Sequence, residues 1–112
     1  MTDRDLLEAA AKAAGIDHRR IMDRGVAAVV VDGVIVHTWN PLTDDGDALR
    51  LAVALRLDIS IYHDGSACVS AVTDEDPFGV DLADELAADH RGDSCAATRR
   101  AIVRAAAAMV MP

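Results

Sequence analysis

Residues 37–49 read HTWNPLTDDGDAL and hold the single tryptophan of the chain, Trp39. Pro41 has a fixed φ and no N–H, and it favours an extended conformation at Asn40 before it, so a strand that reaches Trp39 should end at Asn40. Three residues that favour the N-cap of a helix follow: Thr43, Asp44 and Asp45. The stretch therefore predicts a strand, a tight turn and an amphipathic helix to Leu55, with Trp39 as a packing anchor.

Strand patterns lie on both sides of this helix. Four segments have the pattern of strands: residues 26–31, 34–39, 57–63 and 67–72. They are rich in β-branched residues, and each is either almost wholly apolar or alternates between apolar and polar side chains. The dipeptides Asp32-Gly33 and Asp64-Gly65 separate the members of each pair, and this dipeptide is a strong signal for a hairpin turn. Two hairpins that flank a helix predict a four-stranded, mainly antiparallel sheet.

Helices are predicted at both ends of the chain, over residues 3–14 with Thr2 as N-cap, and from Asp93 or Ser94 to about Val110. Two segments are predicted to be irregular: residues 16–25 as a loop, and residues 80–88 as a short helix or a mobile loop. The sequence therefore predicts a single α+β domain, residues 1–112, in the order α-β-β-α-β-β-α. Its helices pack on the sheet.

The composition limits the class of protein. Apolar residues make up 52% of the chain, which suffices for a core, and the aromatic fraction of 3% indicates that this core is aliphatic. The net charge of −8 argues against direct binding to nucleic acid or to an anionic membrane. The N-terminus is too polar for a signal peptide, and no apolar run is long enough to cross a bilayer. We therefore expect a cytoplasmic protein that makes no contact with a membrane.

The cysteines, histidines and aspartates of the sequence have no spacing typical of a metal site, and we expect neither a bound metal nor a cofactor. Cys68 and Cys95 have neither zinc-site spacing nor a CxxC pattern, so both are interpreted as small buried hydrophobes. Cys95 is the more reactive candidate because it begins a helix. The aspartates at positions 44, 45 and 47 depart from the calcium-loop pattern and are explained by helix capping. Asp74 and Asp76 are interpreted as part of a solvated loop, and the four histidines as structural or exposed.

Four residues are candidates for binding a partner: Trp39, Arg99, Arg100 and Arg104. The three arginines cluster on one side of the last predicted helix, and the acidic segment 73–93 of the same or a neighbouring chain offers them carboxylates. Residues 26–31 are apolar at every position, which is typical of a strand covered on both faces. Three short helices cover only one face of a sheet, so we expect a homodimer that covers the rest.

Two segments resemble small phage and prophage proteins of unknown function: WNPLTDDGDALRLAV at residues 39–53 and ATRRAIVRAAA at residues 97–107. The order of elements between the two segments is similar as well. The resemblance implies a bacterial or phage setting and a cytoplasmic location. It implies no activity and no catalytic residue.

Function is only weakly indicated by these patterns. The sequence has no Gly-rich phosphate loop and no local nucleophile pattern. We therefore expect a small non-catalytic accessory or protein-binding protein with a protein partner that the sequence does not specify. Two alternatives stay open at this point. One is an enzyme of unrecognised type, and the other is an acidic inhibitor whose segment 73–93 imitates the phosphates of a nucleic acid.

Overall fold

The computed structural model describes residues 2–16, 21–22, 26–31, 34–72 and 74–110. Within them, three α-helices form: α1 (Asp3–Ala13), α2 (Asp45–Ala54) and α3 (Ser94–Ala108). Six strands form: β1 (Ile21–Met22), β2 (Val26–Val31), β3 (Val34–Trp39), β4 (Leu57–Ile61), β5 (Ala67–Ala71) and β6 (Val80–Glu85). A short 3₁₀ helix, Ala87–His90, lies between β6 and α3. The three predicted helices and four predicted strands are confirmed, whereas the turn predicted at Asp32-Gly33 lies outside the described residues.

The described strands form two antiparallel sheets, a first sheet in the order β1-β2-β3 and a second sheet in the order β4-β5-β6. β2 pairs with β3 and β4 pairs with β5, in agreement with the two hairpin patterns. The α+β class is therefore confirmed, but one sheet of four strands is not what the structure shows. Helix α2 separates the hairpins along the chain, and each hairpin gains a third strand from a segment predicted to be irregular.

Strand β6 corrects the expectation of a short helix or mobile loop at residues 80–88. Asp81 and Asp84 are exposed and Ala83 is buried, while Leu82 is the extra residue of a β-bulge. Alternation of small apolar and acidic side chains suits a strand with one face in water, although this composition has no strong local preference. The pairing of β6 with β5 therefore decides the conformation of residues 80–85, and no turn signal in the sequence predicts that pairing. Strand β1 likewise forms by pairing with β2 inside the predicted loop.

Helix α3 is the centre of the fold. It packs on α1, on α2 and on all three strands of the second sheet. Seven of its residues are buried, and five of these are alanines: Ala97, Ala101, Ala105, Ala106 and Ala107. A helix that is apolar on nearly every side is surrounded by other elements, and small side chains let those elements approach closely. Helix α1 also contacts β2, so it connects α3 to the first sheet.

The helix starts agree with the predicted caps. Thr2 and Asp5 form a capping box, in which each side chain accepts a hydrogen bond from the N–H of the other residue, at 3.2 and 2.9 Å. Asp93 caps α3, because its carboxylate accepts a 3.0 Å hydrogen bond from the Ala96 N–H. These side chains satisfy N–H groups that have no partner within the helix itself.

The passage from β3 into α2 is a closely bonded corner. Trp39 is buried at the end of β3, with 6% of its surface exposed. Asp44 caps α2, because its carboxylate accepts a 2.8 Å hydrogen bond from the Asp47 N–H. The buried carboxylate of Asp47 accepts a 3.0 Å bond from the Asn40 N–H and a 2.7 Å bond from Arg50. One side chain therefore ties the end of the strand to the start of the helix.

Candidate protein-binding surfaces

A fully exposed phenylalanine marks the loop between β5 and β6. Residues 74–79, which we call the acidic turn, read DEDPFG. The Gly79 N–H donates a 3.0 Å hydrogen bond to the Asp76 carbonyl, which closes a turn with Pro77 and Phe78 at its central positions. Proline at the first central position fixes the backbone there. The side chain of Phe78 is held in solvent, at 101% of its reference area.

Exposed carboxylates lie near this ring along the chain and on the sheet that its loop connects. Asp74 and Glu75 precede it and are exposed. Across the outer face of the second sheet, Asp58 pairs with Ser70 and Ser70 pairs with Asp81, so both aspartates lie on one face. An apolar ring within a negative potential suits a partner that offers an apolar pocket beside cationic groups.

A second surface, which we call the edge groove, lies between α2, β4 and the first half of α3. It is a cleft of about 410 Å³ with an apolar lining that includes Ala48, Leu49, Ile59, Ile61 and Ile102. Asp45 and Arg99 also line it and form an ion pair at 2.6 Å. Leu49 and Ile61 are exposed, and so is Val53, one helical turn after Leu49. The groove is therefore bordered by apolar side chains that stand in water.

Titratable groups gather in a different cleft, of about 600 Å³, beside the turn of the β4–β5 hairpin. Its polar lining consists of Tyr62, His63, Asp64, Ser66, Asp84 and Glu85. Asp64 accepts a 2.9 Å hydrogen bond from the Ser66 N–H, and this bond is the main reason that the pKa of Asp64 is lowered. The Ser66 hydroxyl accepts a 3.0 Å bond from the Ala87 N–H. These polar groups hold the turn and the 3₁₀ helix in place.

Cys68 lies next to this cleft, and its thiol is the candidate sulfur nucleophile for covalent catalysis there. Burial raises the pKa of its thiol, and a hydrogen bond to Asp84 raises that pKa further. The hydrogen bond with Cys68 also raises the pKa of Tyr62. A protonated thiol is a poor nucleophile. The described residues therefore give this cleft no activated thiol for covalent catalysis.

The arginines predicted to bind a partner have partners within the chain. Arg99 donates a 2.9 Å hydrogen bond to the Leu42 carbonyl in addition to its ion pair with Asp45. Arg100 pairs with Asp3 at 2.9 Å, which joins α3 to the start of α1. Through these contacts the two arginines hold α3 to the start of α1 and to the start of α2. Neither arginine can bind a neighbouring chain without losing its contacts within this one.

Glu85 is the centre of a partly buried charge network. It forms an ion pair with Arg104, and its carboxylate lies 2.8 Å from the His90 ring and 3.8 Å from Arg100. Burial acts to raise the pKa of Glu85, but the hydrogen bonds and charges of His90 and Arg104 outweigh it, and the net pKa is lowered. This part of the acidic segment therefore meets the predicted arginines in the same chain.

Replacing Glu85 by glutamine is expected to lower the free energy of unfolding by about 1–3 kcal/mol near neutral pH, since hydrogen-bonded charges lose their partner. Because the pKa of Glu85 is lowered by folding, its stabilisation is complete above the unfolded-state pKa and is lost as the pH falls towards the folded-state pKa. The difference between wild type and Glu85→Gln should therefore shrink between about pH 7 and about pH 3.5 in urea unfolding. Glu75→Gln, at an exposed site, is the control. A difference that is the same at both pH values would contradict the network.

Comparisons with known proteins leave the family open. The sequence matches no protein-family model, and no curated protein and no solved structure shows significant similarity to it. In the described part of the chain, no helix is long and apolar enough to cross a membrane. The same residues contain no group of three His, Cys, Asp or Glu side chains placed to hold a metal ion.

The structure changes two interpretations of single residues. Cys95 was expected to be buried and is exposed, because it is the second residue of α3 and lines the open edge groove. Cys68 is buried as expected. Trp39 lies in the core, which agrees with a packing anchor and leaves little of its ring for a partner.

The predicted structural or exposed role of the histidines is observed at two positions. His63 is exposed, and His90 bonds to Glu85. His18 and the side chain of His37 lie outside the described residues.

Sequence reasoning missed both surfaces. The Pro77-Phe78-Gly79 tripeptide predicts a break in regular structure, and an aromatic residue in a turn between carboxylates is also a signal of exposure. The apolar residues of α2 form a broad stripe that includes Leu49 and Val53. That stripe is wider than the single face that α2 packs on α3, and the excess width is what borders the edge groove.

Proposed function

We propose that this chain is a small non-catalytic protein-binding protein of the bacterial or phage cytoplasm, and that the acidic turn is its recognition element. The proposal rests on the complete exposure of Phe78 at the tip of a bonded turn. Single exposed apolar residues are common. In a chain with only 3% aromatic residues, however, a fully exposed aromatic ring contributes no burial to the core, and a binding role explains its position.

The energetics of this ring suit a binding role. Burying a phenylalanine side chain in a partner contributes about 1.5–3 kcal/mol, which corresponds to roughly ten- to a hundredfold in affinity. Pro77 restricts the turn before binding, so less conformational entropy is lost when a partner closes over Phe78. The exposed carboxylates at 74 and 75 add long-range attraction to a cationic surface and orient the encounter.

The partner that fits this surface is a protein with an apolar pocket whose rim carries lysine or arginine. Catalysis by the chain itself receives less support, because the polar groups of the larger cleft are engaged in local hydrogen bonds. An acidic nucleic-acid mimic would use the carboxylates but would gain nothing from an exposed ring. The contribution of Phe78 therefore separates protein recognition from mimicry of a nucleic acid.

Capture experiments with the full chain test this proposal. Wild-type protein immobilised on a resin is incubated with lysate of prophage-carrying bacteria, beside Phe78→Ala and beside Leu86→Ala, which removes another exposed apolar side chain from the same acidic segment. We expect a protein that wild type and Leu86→Ala retain and Phe78→Ala loses. Identical capture by all three would contradict the proposal. Capture that survives Phe78→Ala but is lost in Asp74→Asn/Glu75→Gln would favour the mimic instead.

A further inference from the structure

The outer edge of the second sheet is open at β4. Strand β4 is the terminal strand of its sheet, and no other strand among the described residues pairs with its second edge. The opposite terminal strand, β6, carries a bulge and two exposed aspartates, which are features that protect an edge from pairing. β4 has a regular register with β5 along all five residues and no bulge. It is therefore the edge that is suited to accept another strand.

We infer that two copies of this chain pair through β4 and the adjoining edge groove to form a homodimer. An antiparallel pair with its two-fold axis at Ile59 places Leu57 opposite Ile61 and Asp58 opposite Ser60. With the axis at Asp58 instead, Asp58 would lie opposite Asp58, and like charges directly opposite each other destabilise a pair. The sequence of β4 therefore disfavours that register, and the pair with its axis at Ile59 joins the two second sheets into one of six strands.

Apolar surface beside β4 gives this pairing its stability. Leu49 and Val53 of α2 and Ile61 of β4 are exposed around the edge groove, on the side where β4 is open. A two-fold axis at β4 brings the same residues of the second copy to this surface, so each copy covers the other. Pairing of strands and covering of apolar side chains then occur together.

The charge distribution favours a second copy as the occupant of this surface. The groove carries one carboxylate and one guanidinium, Asp45 and Arg99, which neutralise each other at 2.6 Å. The chain as a whole has a net charge of −8, so two copies repel each other at their acidic faces. The lining of the groove itself adds no net charge to that repulsion, because Asp45 and Arg99 are paired.

This interface differs from the one that the sequence suggested. Arg99, Arg100 and Arg104 each pair within their own chain, so the interface inferred here does not use them to bind the acidic segment of a neighbour. The interface also goes beyond the proposed function, because the acidic turn follows β5 and is not part of the β4 edge. A dimer of this form carries two acidic turns, and either surface can fail its test without the other.

Analytical ultracentrifugation decides the oligomeric state. At tens of micromolar we expect wild type to sediment at twice the 11.8 kDa mass of the chain. Leu49→Asp should raise the dissociation constant by about tenfold or more, since it places two new charges at an apolar interface. Leu86→Asp makes the same change at a site of equal exposure, 56% against 59%, and should leave the dimer intact. A wild type that stays at 11.8 kDa, or a Leu49→Asp variant that dimerises as wild type does, would overturn the inference.

Thiol labelling supplies a second readout on folded protein. Cys95 lines the edge groove and is exposed, whereas Cys68 is buried, so a maleimide reagent reports on Cys95. Labelling of wild type should slow as the protein concentration rises through the dissociation constant, and labelling of Leu49→Asp should not. Circular dichroism confirms that both proteins are folded. A labelling rate independent of concentration in a protein that sediments as a dimer would place the interface elsewhere.

Discussion

Replacing Trp39 by alanine is expected to lower the free energy of unfolding by about 3–5 kcal/mol, the range for removal of a large buried aromatic side chain. Trp39 is buried in the core cluster at the end of β3. The other buried members of this cluster are aliphatic and many are alanines, which are too short to refill the space that the indole leaves. The change is measured by urea unfolding at equilibrium, with the midpoint and slope fitted separately.

Phe78→Ala is the matched control, because it removes an aromatic ring from a fully exposed site. Its free energy of unfolding should stay within about 0.5 kcal/mol of wild type. A Trp39→Ala variant as stable as this control would show that the indole is a surface group. In that case the role of Trp39 in partner binding, which the sequence also allowed, would become the better interpretation.

Replacing Asp47 by alanine is expected to cost about 2–4 kcal/mol, although the side chain is small. Its buried carboxylate accepts hydrogen bonds from the Asn40 N–H and from Arg50, so its loss leaves donors unsatisfied at the corner between β3 and α2. Helix capping alone is worth about 1 kcal/mol, and that contribution comes from Asp44. Thermal and urea unfolding of Asp47→Ala and Asp44→Ala measure the two effects separately.

The ranking of these two variants is the test of the corner. Asp47→Ala should be the less stable one, and Asp47→Asn should lie between it and wild type, because the amide oxygen still accepts the bond from Asn40. If Asp44→Ala is the more damaging change, helix capping alone explains the acidic residues of this stretch. Glu75→Gln, at an exposed site outside both this corner and the β4 edge, is the neutral reference.

Local signals explain which parts of the fold the sequence could predict. Pro41 stops β3 and Asp44 caps α2 through contacts within a few residues, and such contacts exist before the rest of the chain is folded. Strand β6 depends on a partner strand, and its six residues, VDLADE, have no period or propensity that demands it. The composition of the two sheets is hard to predict for the same reason, since β1 joins β2 and β6 joins β5 only through contacts between strands.

The candidate surfaces were harder to predict for a related reason. A sequence pattern shows that Leu49 is apolar but not that it borders an open groove instead of packing in the core, because the wider stripe fits either orientation. The clustering of the three arginines on α3 was visible, yet their partners Asp3, Asp45 and Glu85 come from three distant elements. The exposure of Phe78, in contrast, could be predicted from the sequence alone, because a turn that follows several carboxylates lies in solvent.

The central position of α3 has a consequence for how a ribosome delivers this chain. Every strand and both other helices leave the exit tunnel before α3 does, yet α1, α2 and the second sheet bury their apolar faces against it. Until α3 emerges, the earlier elements hold only hairpin and helix contacts of their own and expose apolar surface to solvent. Synthesis that stalls ahead of residue 94 should therefore yield a chain that recruits chaperones or is degraded. A chain whose α3 has left the tunnel should resist proteolysis.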